Sequence, residues 1–161
     1  MQTTKRPLTR TDVTCMRADR VASSILQRVA KLQAVYYRAP DGSEPVNDFI
    51  DRLPVKRQVV LDNQIDRLNM LTRSNPPLPF PHSSQIEGEL RELRCHCGRE
   101  LYRILYQRSR NLIVLLHIFR KDGGQVPESE IATAKQRWRD FRARMDAPTR
   151  RPPRAAGHDA P

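Results

Sequence analysis

Arg94, Arg103, His117 and Lys121 are carried by, or directly follow, three consecutive stretches of sheet-forming residues at 89–96, 99–108 and 111–119. Between Gly88 and Lys121, eight Arg and Lys residues stand against three Glu, a local balance of +5 (8 − 3). Cations interleaved with Leu, Ile, Val and Tyr on short strands describe a sheet face that grips a polyanion, and RNA fits that description best. Cleaving RNA without a metal takes three groups. A base must deprotonate the 2′ hydroxyl, a cation must stabilise charge on the phosphorane, and an acid must protonate the leaving 5′ oxygen. Arginine suits the second task, because its fork of donors stays charged and matches phosphate oxygens. Histidine or a perturbed lysine suits the proton transfers.

Arg103 is the first choice for phosphate stabilisation. It alternates with Leu101 and Leu105, and a cation on that side of a strand needs an anion or an opening to solvent. The plain alternative is a structural arginine paired with Glu92 or Glu100. Arg94, in phase with Glu92 and His96, would grip a flanking phosphate or else form an exposed cross-strand ion pair of little energetic worth. His117 falls in phase with Leu115 and Phe119, as a proton-transfer group or a hydrogen-bonded core residue. Lys121, at the end of that strand, would be a phosphate ligand or the acid. Arg91 and Arg120 join them as further phosphate contacts. Cys95-His96-Cys97 has soft ligands in a row, but alternation sends His96 to the face opposite Cys95 and Cys97, so no metal site is expected. Tyr36, Tyr37, Tyr102 and Tyr106 could stack bases, although core filling suits their positions better.

The elements that position these residues read as follows. Leu32–Tyr37 is β-rich and ends at the turn Ala39-Pro-Asp-Gly42. Pro45 opens a helix over 45–53, which Pro54 interrupts, and a second helix over 55–72 carries Val59, Leu61, Ile65 and Leu68. Residues 73–85 hold four prolines and read as an extended loop. Three strands then follow through short connections at Cys97-Gly98 and Ser109-Arg110, which makes them adjacent antiparallel hairpins. Asp122-Gly-Gly124 marks a turn. Pro127 opens a last helix with Glu128 and Glu130 in its first turn, where the dipole favours anions, and an apolar stripe of Ile131, Ala134, Trp138, Phe141 and Met145. The order β-α-α-β-β-β-α makes an α+β domain with helices on one sheet face and the other face, or a cleft beside it, free for function.

The chain of 161 residues carries a net charge of +11 and a pI near 10.4. That balance points to a nucleic acid, an anionic surface or an acidic protein partner. We divide the chain into a basic extension over 1–31, with a helix at 17–31, a domain over 32–146, and a basic, Pro-rich tail over 147–161 that we expect to be disordered. No apolar run approaches the roughly 18 residues of a membrane span. The N-terminus lacks an apolar signal region, and three cysteines make no disulfide framework, so a cytoplasmic protein without membrane partners is expected.

A set of short motifs runs in order through this domain: Glu44-Pro-Val46, Phe49-Ile50, Leu53-Pro54, Glu92-Leu-Arg94, Tyr102-Arg-Ile104, Tyr106, Ile113-Val-Leu-Leu-His117, Phe119, Lys121, Pro127, Glu130-Ile131, Ala134 and Arg137. In order and spacing they resemble the HigB/RelE toxin superfamily, in particular its phage-derived HigB-like branch, over roughly 32–143. The resemblance implies a RelE-like fold, with a mostly antiparallel four-stranded sheet, two N-terminal helices and a C-terminal helix. It also implies the toxin of a type II toxin–antitoxin system that acts, without cofactor, as a ribosome-dependent mRNA endoribonuclease. The partners implied are the ribosome, mRNA and a helix-turn-helix, HigA-like antitoxin, with operator DNA reached only through that antitoxin. A functional role for Arg103 is carried over with the motif. Where relatives continue past Lys121 with a further Lys and a polar run, this chain has Asp122-Gly-Gly124. Two other functions share the fold: a ParE-like, non-enzymatic gyrase poison, and a decayed toxin that only binds its antitoxin or nucleic acid.

Overall fold

The computed structural model describes residues 30–158. Strand β1 (Gln33–Tyr36) leads into helices α1 (Pro45–Asp51) and α2 (Val55–Asn69). Strands β2 (Ser83–Glu87), β3 (Leu90–Cys97), β4 (Glu100–Ser109) and β5 (Leu112–Lys121) follow, and helix α3 (Glu128–Met145) comes last. The sheet runs β1-β5-β4-β3-β2, with β1 parallel to β5 and every other pair antiparallel. This is an α+β fold consistent with the RelE-like arrangement. The two-residue connections between strands need a left-handed residue, supplied by Gly98 at φ 65° and, without glycine, by Arg110 at φ 56°.

Both helix breaks lie where proline dictates. Pro54 stands just before α2 with extended backbone (φ −57°, ψ 143°), and Pro127 does the same before α3. In α2, Leu61, Ile65 and Leu68 fall at i, i+4 and i+7 and are fully buried. They pack with Val46 and Ile50 of α1 against Tyr36, Leu93, Ile104, Leu115 and Ile118 of the sheet. The helices end at Asp51 and Asn69, two or three residues short of the expected ends. There the N–H of Leu53 bonds to Ile50 and that of Leu71 to Leu68, and Leu32 then takes the Leu71 carbonyl.

Three expectations are corrected. First, the sheet has five strands, because the end of the Pro-rich loop pairs with β3 as β2. Its polar sequence hides it, but Ser83 is buried and shares a hydrogen bond of 2.8 Å with the Tyr106 hydroxyl. Second, helices cover both faces. Ala134 and Phe141 of α3 are buried with Val35, Tyr37, Leu105, Val114 and Leu116 on the face opposite α1 and α2, and Trp138 packs beside them. Third, the Pro-rich tail, as far as it is described, is ordered against β1. Tyr36 N–H bonds to the Arg154 carbonyl, Ala156 N–H to the Ala34 carbonyl, and Ala155 bridges Val35. An edge strand with open N–H and C=O groups is a template for such pairing. Gly157 follows at φ 106°, where a Cβ would lie 2.1 Å from Asp66 Oδ1. The helix expected over 17–31 lies outside the described residues except for its last two, of which Lys31 bridges Thr72.

Glu44 clamps the tail. Its Oε2 accepts from Arg154 Nε and Nη2 at 2.9 and 2.7 Å, and its Oε1 from Arg38 Nη2 at 3.1 Å. Burial by itself would raise the Glu44 pKa, but the bonds from Arg154 and Arg38 outweigh it and hold the carboxyl below its ordinary value. A depressed carboxylate stabilises the fold above its unfolded pKa, and that contribution is lost as pH falls through the folded value. Glu44→Gln therefore lowers the hydrogen-exchange protection of the Tyr36 and Ala156 amides at neutral pH. The wild type loses the same protection only under acid conditions, whereas equal protection in both proteins at pH 7 would show that the tail docks without the clamp.

Candidate active site

Register decides which of the candidate residues share a face. Arg94 of β3 lies opposite Arg103 of β4, and Arg103 lies opposite Phe119 of β5. Leu101 pairs with Lys121, Leu105 with His117, and Glu92 with Leu105. Beyond Leu115 the partner of β4 skips one residue, so Leu116 is the extra residue of a bulge. Leu115 consequently packs with α1 and α2, whereas Leu116, His117, Phe119 and Lys121 lie on the α3 face. The expected phase linking Leu115 to His117 is thus broken by the bulge.

The first turns of helix α3 meet β5 at His117. Glu130 and Arg137 are seven residues apart, two helical turns, and so project from one side of the helix. Arg137 Nη1 donates to the Leu116 carbonyl and to His117 Nδ1, both at 2.9 Å. Arginine can only donate, so Nδ1 accepts and the ring proton sits on Nε2, which bonds to the Glu130 carboxylate. Burial pushes the His117 pKa down, the Glu130 bond opposes that, and the Arg137 charge adds to it. His117 is therefore neutral, stacked at 6.0 Å on Phe119, with both nitrogens engaged in fastening α3 to β5.

Past the end of α3 the same face carries Arg94, Arg103 and Lys121. Arg103 is 4% exposed and its Nη1 is paired with Glu92 Oε1, which also accepts from Ser84 Oγ at 2.5 Å. The structural pairing with Glu92 considered for Arg103 is thus real, but it leaves the cluster unbalanced. Three cations face one carboxylate, a surplus of two (3 − 1). Like charges directly across a strand pair destabilise a sheet. Among the described residues, Arg94 Nε, Arg103 Nε and Glu92 Oε2 are buried without hydrogen-bond partners. The Lys121 pKa is lowered, first by burial and then by Arg103 and Arg94, with Glu92 opposing. An anion placed among these three side chains would relieve the repulsion and supply the missing acceptor. Arg94 also lays its guanidinium 4.9 Å from the centre of the Phe80 ring.

Arg91 and Arg120 are not brought to this cluster. Period 2 puts them on the α1/α2 face. Arg91 lies opposite Tyr106, with Nη2 3.4 Å from the Leu78 carbonyl. Arg120 lies opposite Tyr102, bonded to Glu100 at 3.1 Å and 3.6 Å from Asp122. Asp122, the departure in the turn, is thus turned toward Arg120. Cys95 and Cys97 pack with the α1/α2 core while His96, on the opposite face, is exposed. All four tyrosines are buried, as core filling requires. Phe80 adjoins Arg94, and Glu130 and Arg137 adjoin His117, although none of the three is a candidate by residue type and strand position. The seven-residue spacing of the last two was the available signal, and Phe80 offered none.

The family model for phage-derived, Gp49-like proteins (DUF891) matches residues 48–139, more than half of the 161, and this family is associated with RelE/HigB-like toxins. The match begins in α1, ends in α3 and includes Arg94, Arg103, His117 and Lys121. No curated protein matches the chain. No helix among the described residues is long and apolar enough to cross a membrane.

The latch on His117 has a measurable consequence. Its ring should titrate below the ordinary value of 6.5, followed by NMR of the ring protons. Glu130→Gln removes the bond that favours the charged ring and lowers the pKa further. A histidine held below its unfolded pKa costs stability as pH falls from 6.5 toward the folded value, and His117→Gln removes that portion of the acid sensitivity. A titration above 6.5 would instead show a charged pair with Glu130.

Proposed function

The chain belongs to the phage-derived Gp49-like family, and from that premise we propose that it is the toxin of a type II toxin–antitoxin pair, cleaving mRNA on translating ribosomes without a metal cofactor. The observation that carries this reading is the unbalanced cluster of Arg94, Arg103 and Lys121 on the part of the sheet beyond α3. Its one carboxylate, Glu92, is already committed to Arg103 and Ser84, so the arrangement suits a phosphate anion.

In this scheme the 2′ oxygen of the RNA attacks its own 3′ phosphorus. The new P–O2′ bond forms as the P–O5′ bond breaks, leaving a 2′,3′-cyclic phosphate and a 5′ hydroxyl. Arg103, held rigid by Glu92, stabilises the phosphorane charge, a contribution of about 10²–10³ in rate for a preorganised donor. Arg94 grips a flanking phosphate. The Lys121 ammonium gives its proton to the 5′ oxygen, and solvent water takes the proton of the 2′ hydroxyl. His117, with both nitrogens engaged, positions the helix that borders the site. A HigA-like, helix-turn-helix antitoxin is the inhibitor, and operator DNA is reached only through it.

Primer extension on a reporter mRNA in a cell-free translation reaction tests the reading. New 5′ ends that require ribosomes are expected from the wild type. Lys121→Gln should lower their yield by about 10²–10⁴, the range for a lost general acid, with an unchanged melting curve. Since Arg103→Ala would strand the buried Glu92, the informative variant is Glu92→Gln with Arg103→Gln, which removes the pair as a unit and should abolish cleavage. The alkaline limb of the pH profile should lie below 10.5, the ordinary lysine value. Absence of new ends with folded protein would sink the proposal. A DNA-damage response on expression would then favour a ParE-like gyrase poison, and no growth effect a decayed toxin.

A further inference from the structure

We propose that Phe80 is a stacking platform for one unpaired base of the RNA strand, the base of the nucleotide whose phosphate Arg94 holds. This rests on the nuclease reading above and adds a subsite to it.

Phe80 is 70% exposed, although it belongs to the largest apolar side-chain types, and it stands in a loop rather than on a frayed end. The backbone beneath it is closed by two hydrogen bonds to the Pro79 carbonyl, from His82 N–H at 3.0 Å and Ser83 N–H at 3.1 Å. The next residues enter β2, and the His82 carbonyl accepts from Arg94 N–H at 2.8 Å. The backbone that carries the ring is therefore anchored beside the cation cluster. Its centroid lies 4.9 Å from the Arg94 guanidinium carbon, and the rest of the ring is in solvent. Across the sheet the order is Phe80, Arg94, Arg103, Phe119, with Lys121 two residues further along β5.

Adjacent strands are about 4.8 Å apart, so the two arginines are spaced closely enough to hold one phosphate or two neighbouring phosphates of a single strand. An aromatic ring next to a cation track is the pairing by which proteins hold single-stranded nucleic acid, with cations on the backbone and rings on the bases. The surplus positive charge selects a polyanion over an apolar protein segment as the occupant. Stacking serves any base, so the subsite adds affinity and strand orientation without a sequence code.

Binding of a short, fluorescently labelled, 2′-O-methylated single-stranded RNA, which resists cleavage at the 2′ oxygen, tests this by anisotropy over a salt series. Phe80→Ala should weaken binding by about five- to 150-fold, the range for loss of one stacked base, without changing the salt slope or the melting curve. Phe80→Tyr should bind like the wild type and Phe80→Leu like the alanine variant. Arg94→Gln should reduce the salt slope by about 0.7, one phosphate contact on a single strand. Wild-type affinity in Phe80→Ala or in Phe80→Leu overturns the stacking role and leaves the nuclease reading standing. No salt-sensitive binding by the wild type overturns the stacking subsite as well, and the nuclease reading is then decided by the ribosome-dependent primer extension.

Discussion

The one-residue bulge at Leu116 is the constraint on which the site depends. In an uninterrupted β5 the side chains of Leu115, His117, Phe119 and Lys121 would share a face, since alternation has a strict period of two. Leu115 is in the core with α1 and α2. Without the bulge, Lys121 would follow it there, and Arg120 would take its place beside Arg103. The extra residue resets the phase once, so the first half of β5 fills the α1/α2 core and the second half turns its chemistry toward the other face. The Leu116 carbonyl at the bulge accepts from Arg137, and His117 meets Glu130. The same irregularity thus sets both which side chains face the cluster and where the first turns of α3 are fastened to β5.

Electrostatics and packing pull in opposite directions on that face. Two arginines across a strand pair and a lysine beyond them repel one another, and burial of Arg103 adds a desolvation cost. Glu92 offsets part of this by bonding Arg103, and Ser84 holds Glu92 in turn. The Arg94 guanidinium gains from the Phe80 ring, an interaction worth about 0.5–2 kcal/mol. The remaining imbalance is what an anion would cancel. Local strain of this kind is tolerated because β3, β4 and β5 are locked by antiparallel ladders, interrupted only at the Leu116 bulge, and by a core on each face.

The tail shows how an edge is managed in this fold. β1 has β5 on one side only, and residues 154–156 meet its other side through backbone bonds and one bridge. Arg154 joins the tail to Glu44 at the start of α1 and stacks on Tyr36. A segment with so little apolar content gains its order from the strand it covers, and composition alone describes only its isolated behaviour.

By itself the sequence determined the elements whose signals are local. The two-residue hairpins, the proline breaks before α2 and α3, the apolar stripes of both long helices and the buried tyrosines were all legible, because each depends on residues within a turn or two of one another. The clustering of cations on β3 to β5 was legible too, and so was the chance that Arg103 pairs with Glu92. Only the tertiary structure decided which cations stand together. Arg91 and Arg120 are cationic residue types like Arg94 and Lys121, but facing is set by register and by a bulge that no residue type announces. Nor could the sequence place α3 on the second face, pair β2, dock the tail or bring Phe80 to Arg94. Those contacts join segments far apart in the chain, and their free energy exists only once the sheet has formed.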